Sequence, residues 1–136
     1  MLRSAALCLS LLTSSTMAFA NTPAFVEYAG CQEQDFVTID APEVVIQTQG
    51  SRYDPACVTV RPGTKVTIAA MERHPLQAAK DFGGVVNVFR SPADGFFEDQ
   101  FRILTETGYY GYFCTRHGDI QTGGSMGGTI RVLEAN

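Results

Sequence analysis

The chain has 136 residues, of which 45% are hydrophobic and 18% charged, and its formal net charge at pH 7 is −4. This length is enough for a single domain with a substantial core. The acidic balance gives no basic surface for nucleic acid, and beyond residue 20 no apolar run reaches the roughly 18 residues that a membrane helix needs.

The first twenty residues have the pattern of a secretory signal peptide. Arg3 supplies a positive charge, residues 5–12 form an apolar stretch, and Ala18-Phe19-Ala20 resembles a cleavage motif. Serine and threonine interrupt the apolar stretch too early for a membrane anchor. We therefore expect cleavage near Ala20, export to the periplasm, and a single domain over residues 21–136.

The rest of the chain reads as short strands separated by turns. The strand-like segments are residues 36–39, 44–47, 57–60, 65–70, 100–104, 109–114 and 128–133. Residues 71–99 are less regular, and one strand or short helix is expected there, near residues 85–89. Seven or eight short strands with no amphipathic helix predict an all-β sandwich.

Cleavage would leave Cys31, Cys57 and Cys114, an odd number for an exported protein. Cys31 and Cys57 are flanked by polar turn residues with no histidine nearby, so they are the better pair for a disulfide. The competing hypothesis is a closed zinc site that uses all three cysteines and one histidine, although the close cysteine spacing typical of such sites is missing.

A loop between two strand-like segments carries Cys114, His117 and Met126, and the only other histidine is His74. A thiolate, two imidazoles and a thioether are the ligand set of copper sites that cycle between Cu(I) and Cu(II). These four residues are therefore the candidate metal ligands.

Three parts of the sequence together resemble the cupredoxins, the small blue-copper proteins of the plastocyanin, azurin and pseudoazurin group. They are the strand pair YDPACVTVRPGTKVTI with His74 after it, the segment GYYGYFCTRH, and the segment MGGTIRV. The resemblance implies a Greek-key β-sandwich with one type 1 copper ion. His74, Cys114 and His117 would lie around the copper, with Met126 as a weak axial ligand.

The sequence departs from that pattern in the length of the ligand loop. Eight residues separate His117 from Met126, four more than in plastocyanin-like members. Gln121 therefore competes with Met126 for the axial position, because an amide oxygen takes that position in some relatives. Met126 is favoured, since the residues after it continue into the last strand as the family pattern does.

The resemblance implies a soluble one-electron carrier that docks transiently to redox partner proteins near His117. We expect a monomer without enzymatic activity, because two histidines are too few for the further copper sites of an oxidase or nitrite reductase. The alternative on the same fold is copper storage, delivery or assembly, and a third possibility is a metal-free interaction module.

Overall fold

The computed structural model describes residues 23–79 and 93–134, and the backbone of residues 85–87. The expected signal peptide lies outside the described residues, and so do residues 88–89 of the segment predicted in the irregular middle region. Within the described part, no helix is both long and apolar enough to cross a bilayer. The helical structure found there is one short 3-10 turn, Glu33–Asp35.

Ten strands make up the described fold. In chain order they are β1 Val37–Thr38, β2 Glu43–Thr48, β3 Tyr53–Asp54, β4 Cys57–Val60, β5 Thr64–Ile68, β6 Leu76–Ala78, β7 Val85–Asn87, β8 Gln100–Leu104, β9 Gly108–Cys114 and β10 Gly127–Val132. One sheet has the order β1-β4-β10-β9-β6, with β7 also paired to β9, and the other has the order β3-β2-β5-β8. The predicted all-β class is confirmed.

The core forms where the two sheets face each other. In β5 the buried Val66 and Ile68 alternate with half-buried Lys65 and Thr67, because successive side chains of a strand point to opposite faces. Ile130 and other apolar residues of the opposite sheet belong to the same buried cluster. Each sheet therefore contributes one apolar face to a sandwich, as the alternation in the sequence predicts.

Two strands of the structure were not expected, β3 and β6. Each has only two or three residues and, unlike the equally short β1 and β7, neither lies within a longer run of β-branched residues. β6 is nevertheless important, because its antiparallel register pairs Leu76 with Cys114. His74, two residues before Leu76, is thereby placed next to the end of β9.

The predicted disulfide between Cys31 and Cys57 is present, with the two Cα atoms 5.7 Å apart, and Cys114 is free. The hypothesis of a zinc site made of all three cysteines was therefore wrong. The disulfide joins the segment before β1 to the start of β4. It leaves Cys114, at the end of β9, as a buried thiol available to a metal.

Candidate metal centre

The side chains of His74, Cys114 and His117 converge at one end of the sandwich. The two Nδ1 atoms are 3.2 Å apart, and the Cys114 Sγ lies 3.9 Å from Nδ1 of His74 and 3.5 Å from Nδ1 of His117. Candidate ligand atoms of all three residues lie within 4.8 Å of one another. Residues separated by forty positions in sequence thus present two nitrogens and one sulfur to a common point.

These separations fit a single metal ion. With bonds of about 2.0–2.1 Å to imidazole and about 2.3 Å to thiolate, the lengths known for zinc, one ion can bridge two nitrogens up to about 4.1 Å apart. The same lengths bridge a nitrogen and a sulfur up to about 4.4 Å apart. All three observed distances are shorter, and two imidazoles with one thiolate are a donor set that suits copper.

A tight turn after β9 brings Cys114 and His117 together. The main-chain N–H of Gly118 donates to the Cys114 carbonyl at 2.7 Å, and the N–H of His117 donates to the same oxygen at 3.3 Å. Gly118 has no space for a side chain, since a Cβ there would lie 2.6 Å from the Gly123 carbonyl oxygen. The turn therefore folds so tightly only because residue 118 is glycine.

His74 is held by a separate set of main-chain contacts. The N–H of His74 donates to the Met71 carbonyl at 2.9 Å, and the N–H of Met71 donates back to the His74 carbonyl at 3.2 Å. On the other side, the N–H of Thr115 donates to the Pro75 carbonyl at 2.9 Å. The bond from Thr115 ties the His74 segment directly to the residue that follows Cys114.

The two histidines differ in their surroundings. His74 is buried and His117 is exposed. Burial lowers the pKa of His74 below its ordinary value, and His117, Arg73 and Arg116 lower it further. A lowered pKa keeps the His74 imidazole neutral at neutral pH, which is the form that binds a metal.

Met126 and Gln121, the two candidates for the axial position, lie in different environments. Met126 is fully buried in the same core cluster as Cys114, and its carbonyl accepts a 2.9 Å hydrogen bond from the Cys114 N–H. Gln121 is exposed. Met126 is therefore buried beside the end of the cysteine strand and Gln121 is not, so Met126 stays the expected axial ligand.

The ligand loop, which runs from the end of β9 to the start of β10, forms a further turn around Asp119. One carboxylate oxygen accepts hydrogen bonds from the N–H groups of Gln121 and Thr122, at 2.9 and 2.8 Å. The other accepts from the Thr122 hydroxyl. The hydrogen bonds from Thr122 and Gln121 hold the pKa of the Asp119 carboxyl below its ordinary value. The longer loop is therefore ordered by its own side chains.

The segment before the disulfide also contacts this loop, a contact that no sequence pattern predicts. The Ala29 N–H donates to the Thr122 carbonyl at 2.9 Å, and the Tyr28 hydroxyl donates to the Asp119 carbonyl at 3.3 Å. The hydroxyl of Thr129 in β10 donates to the Tyr28 carbonyl at 3.0 Å. We call residues 28–31 the N-terminal brace, because they link the ligand loop to the disulfide and to β10.

No protein-family profile matches the sequence, and no curated protein matches it. The structure does match solved structures of other proteins. A copper-containing nitrite reductase from Thermus scotoductus SA-01 matches 76% of this chain with 22% identity and a TM-score of 0.52, although this chain spans only 29% of that protein. Pseudoazurin from Methylobacterium extorquens AM1 matches 69% of this chain, over 77% of its own length, with 19% identity and a TM-score of 0.48.

A variant of amicyanin in its reduced state matches 67% of this chain, over 82% of its own length, with 23% identity and a TM-score of 0.47. At such identities the likeness is one of fold, and it rests on the nitrite reductase match, with its TM-score of 0.52. This likeness agrees with the two mixed sheets of the structure and with the resemblance expected from the sequence motifs. The chain therefore has a cupredoxin-like fold.

Proposed function

We propose that this protein is an exported type 1 copper protein that carries single electrons between redox proteins. One observation carries the proposal: Nδ1 of His74, Nδ1 of His117 and Sγ of Cys114 lie 3.2 to 3.9 Å apart at one end of the sandwich. His74, Cys114 and His117 would hold one copper ion, and Met126 would be the axial ligand. Copper bound to this set supplies one-electron chemistry by cycling between Cu(I) and Cu(II).

The chain supports that chemistry by keeping the ligands in place. Cys114 lies in a strand paired on both sides, with β10 and with β6. The His74 and His117 segments are fixed by the main-chain hydrogen bonds described above. A site held in this way changes little in geometry between oxidation states, so an electron can pass without large rearrangement of the protein. No proton-transfer group is needed, and we propose no enzymatic activity.

His117 would be the route by which electrons enter and leave. Its Nδ1 faces the Cys114 sulfur, while the residue as a whole is exposed. We expect the ring edge that carries Nε2 to face solvent, where a partner can approach. We expect redox partners to dock transiently around this histidine, and we expect the protein itself to be a monomer.

Copper loading tests the proposal. Metal-free protein titrated with Cu(II) should bind one ion and develop an intense thiolate-to-copper absorption in the visible range, which reductant removes. Cys114→Ala should bind without that absorption, whereas Thr115→Ala, the neighbouring control, should keep it. A wild-type protein that takes up copper but stays colourless would contradict the blue-copper site.

Copper storage or delivery is the alternative function on the same site. Reversible voltammetry and rapid electron self-exchange of the copper-loaded protein would support electron transfer. Transfer of Cu(I) to a competing chelator within seconds, with slow self-exchange, would support delivery. The same purified wild-type protein serves for both measurements.

Export is proposed on two grounds, the signal-peptide pattern of the first twenty residues and the Cys31–Cys57 disulfide. Disulfides persist in oxidising compartments such as the periplasm. Intact-mass measurement of the protein from a periplasmic fraction should give a chain that begins near Asn21. A chain that retains its first twenty residues would contradict this assignment.

A further inference from the structure

A groove of about 620 Å³ opens beside the two histidines. Its lining includes Arg73, His74, Arg116 and His117. None of the described residues that line it is acidic. The groove thus combines the exposed side of the candidate metal centre with two arginines.

Arg73 and Arg116 come from different parts of the fold. Arg73 belongs to the turn before β6, and Arg116 belongs to the ligand loop directly before His117. Both side chains are exposed, and neither forms a salt bridge with a described acidic residue. Three other basic side chains of the described part form salt bridges, namely Arg61 with Asp40, Lys65 with Glu43, and Arg131 with Glu33, whereas exposed Arg52 has none with a described acidic residue.

The charge of the groove is opposite to that of the chain. The formal net charge is −4, yet the groove presents beside His117 two guanidinium groups that form no salt bridge with a described acidic residue. A local positive surface on an acidic protein attracts a negatively charged partner to that surface and repels it from the rest. Arginine is well suited to such a contact, because its planar guanidinium binds carboxylates through two hydrogen bonds.

We infer that the Arg73–Arg116 groove is the docking surface for an acidic protein, whose carboxylates contact the two arginines while its redox centre approaches His117. This inference rests on the proposed electron-transfer function and adds the chemistry of the partner to it. Docking of this kind is transient, because exposed charge pairs raise the association rate more than they raise the affinity.

The test uses the reduced, copper-loaded protein and two one-electron oxidants of opposite charge, ferricyanide and tris(phenanthroline)cobalt(III), in a stopped-flow instrument. Ferricyanide should react faster at low than at high ionic strength, and the cobalt complex should show no such acceleration. In the double variant Arg73→Glu/Arg116→Glu the ferricyanide rate at low salt should fall by about tenfold or more. Poly-L-glutamate, an acidic polypeptide probe, should slow the ferricyanide reaction of the wild type but not of the variant.

Arg61→Glu/Lys65→Glu is the matched control, because it makes the same change of charge at the Thr64 end of β5, away from the residues that line the groove. It should change the ferricyanide rate less than twofold. Because Arg73 adjoins His74 and Arg116 adjoins His117, each variant is used only if its visible absorption equals that of the wild type. If Arg73→Glu/Arg116→Glu does not meet this condition, Arg73→Gln replaces it under the same condition, with an expected loss of about threefold at low salt.

The outcomes separate the two hypotheses. If neither oxidant reacts with the copper-loaded protein, the proposed electron-transfer function is wrong. If both react, but without salt dependence or with equal effects of the groove and control variants, only the docking inference is wrong. Binding to anionic phospholipid vesicles through the arginines, with no effect of poly-L-glutamate, would assign the groove to a membrane surface and also overturn the inference.

Discussion

The main-chain N–H of Ala29 lies 2.9 Å from the carbonyl oxygen of Thr122 and donates a hydrogen bond to it. This bond joins the N-terminal brace to the part of the ligand loop that is longer than in plastocyanin-like proteins. Two residues after Ala29, Cys31 is bonded to Cys57 at the start of β4. The position of the loop between His117 and Met126 therefore depends on a segment far away in sequence.

Close packing between the brace and the loop predicts a large cost for Gly123→Ala. Gly123 has φ +77°, and a Cβ there would lie 2.6 Å from the Ala29 Cβ. The positive φ alone costs roughly 1–2 kcal/mol, and displacement of the brace adds to it. Urea unfolding of metal-free protein should show a loss of about 3 kcal/mol or more in the free energy of unfolding.

Gly63→Ala is the control for that prediction. Gly63 also has a positive φ, +89°, but no atom lies within 4 Å of the position of its Cβ. The free energy of unfolding of Gly63→Ala should fall only by the cost of the positive φ, roughly 1–2 kcal/mol. An equal decrease in the free energy of unfolding of Gly123→Ala and Gly63→Ala would show that the brace can move without an energetic cost and does not position the loop.

Removal of the disulfide should affect both stability and the metal centre. The bond closes a loop with a sequence separation of 26, so Cys31→Ser/Cys57→Ser should lower the free energy of unfolding by roughly 3–4 kcal/mol. Because the brace is then anchored less firmly, the visible and electron paramagnetic resonance spectra of the copper-loaded variant should also change. A destabilised variant with unchanged spectra would mean that the disulfide acts on stability alone.

The identity of the axial ligand can be tested by two conservative substitutions. Met126→Leu keeps a similar volume at a fully buried position, so it should cost less than about 1.5 kcal/mol of stability. Loss of the thioether should nevertheless shift the reduction potential and the visible spectrum. Gln121→Leu, at an exposed position, should change neither. The opposite result would assign the axial position to Gln121.

The lowered pKa of His74 predicts that the metal-free protein is less stable in mild acid. Burial, with His117, Arg73 and Arg116, disfavours the protonated imidazole in the folded state. In the unfolded chain the His74 imidazole takes up a proton at about pH 6.5, and in the folded protein it does so only at lower pH. Between those two pKa values the unfolded state binds more protons, so stability falls as the pH drops through that window and then levels off.

Urea unfolding at pH 7.5, 6.5 and 5.5 measures this effect, with His74→Gln as the control for the titration of all other groups. The free energy of unfolding of the wild type should decrease more than that of the variant over this range. Parallel curves for the two proteins would contradict the prediction.

Much of the fold could be predicted because strand patterns are local. The segments around Val66 and Ile130 alternate or concentrate apolar residues over four or more positions, and each is a strand in the structure. β3 and β6 could not be predicted, since neither of these short strands lies within a longer run of β-branched residues, as the equally short β1 and β7 do. Their pairing is decided by neighbouring strands.

The sequence by itself determined which residues can bind a metal, because a thiolate, imidazoles and a thioether are properties of side chains. It also favoured Cys31–Cys57 as the disulfide pair, since these two cysteines lie apart from any histidine and Cys114 does not, and the structure decided the pairing. Only the tertiary structure decided how these groups meet: strand pairing between Leu76 and Cys114 brings His74 to His117. Contacts between distant segments also decided that Ala29 holds the ligand loop and that Arg73 joins Arg116, because a sequence does not record which remote surfaces pack together.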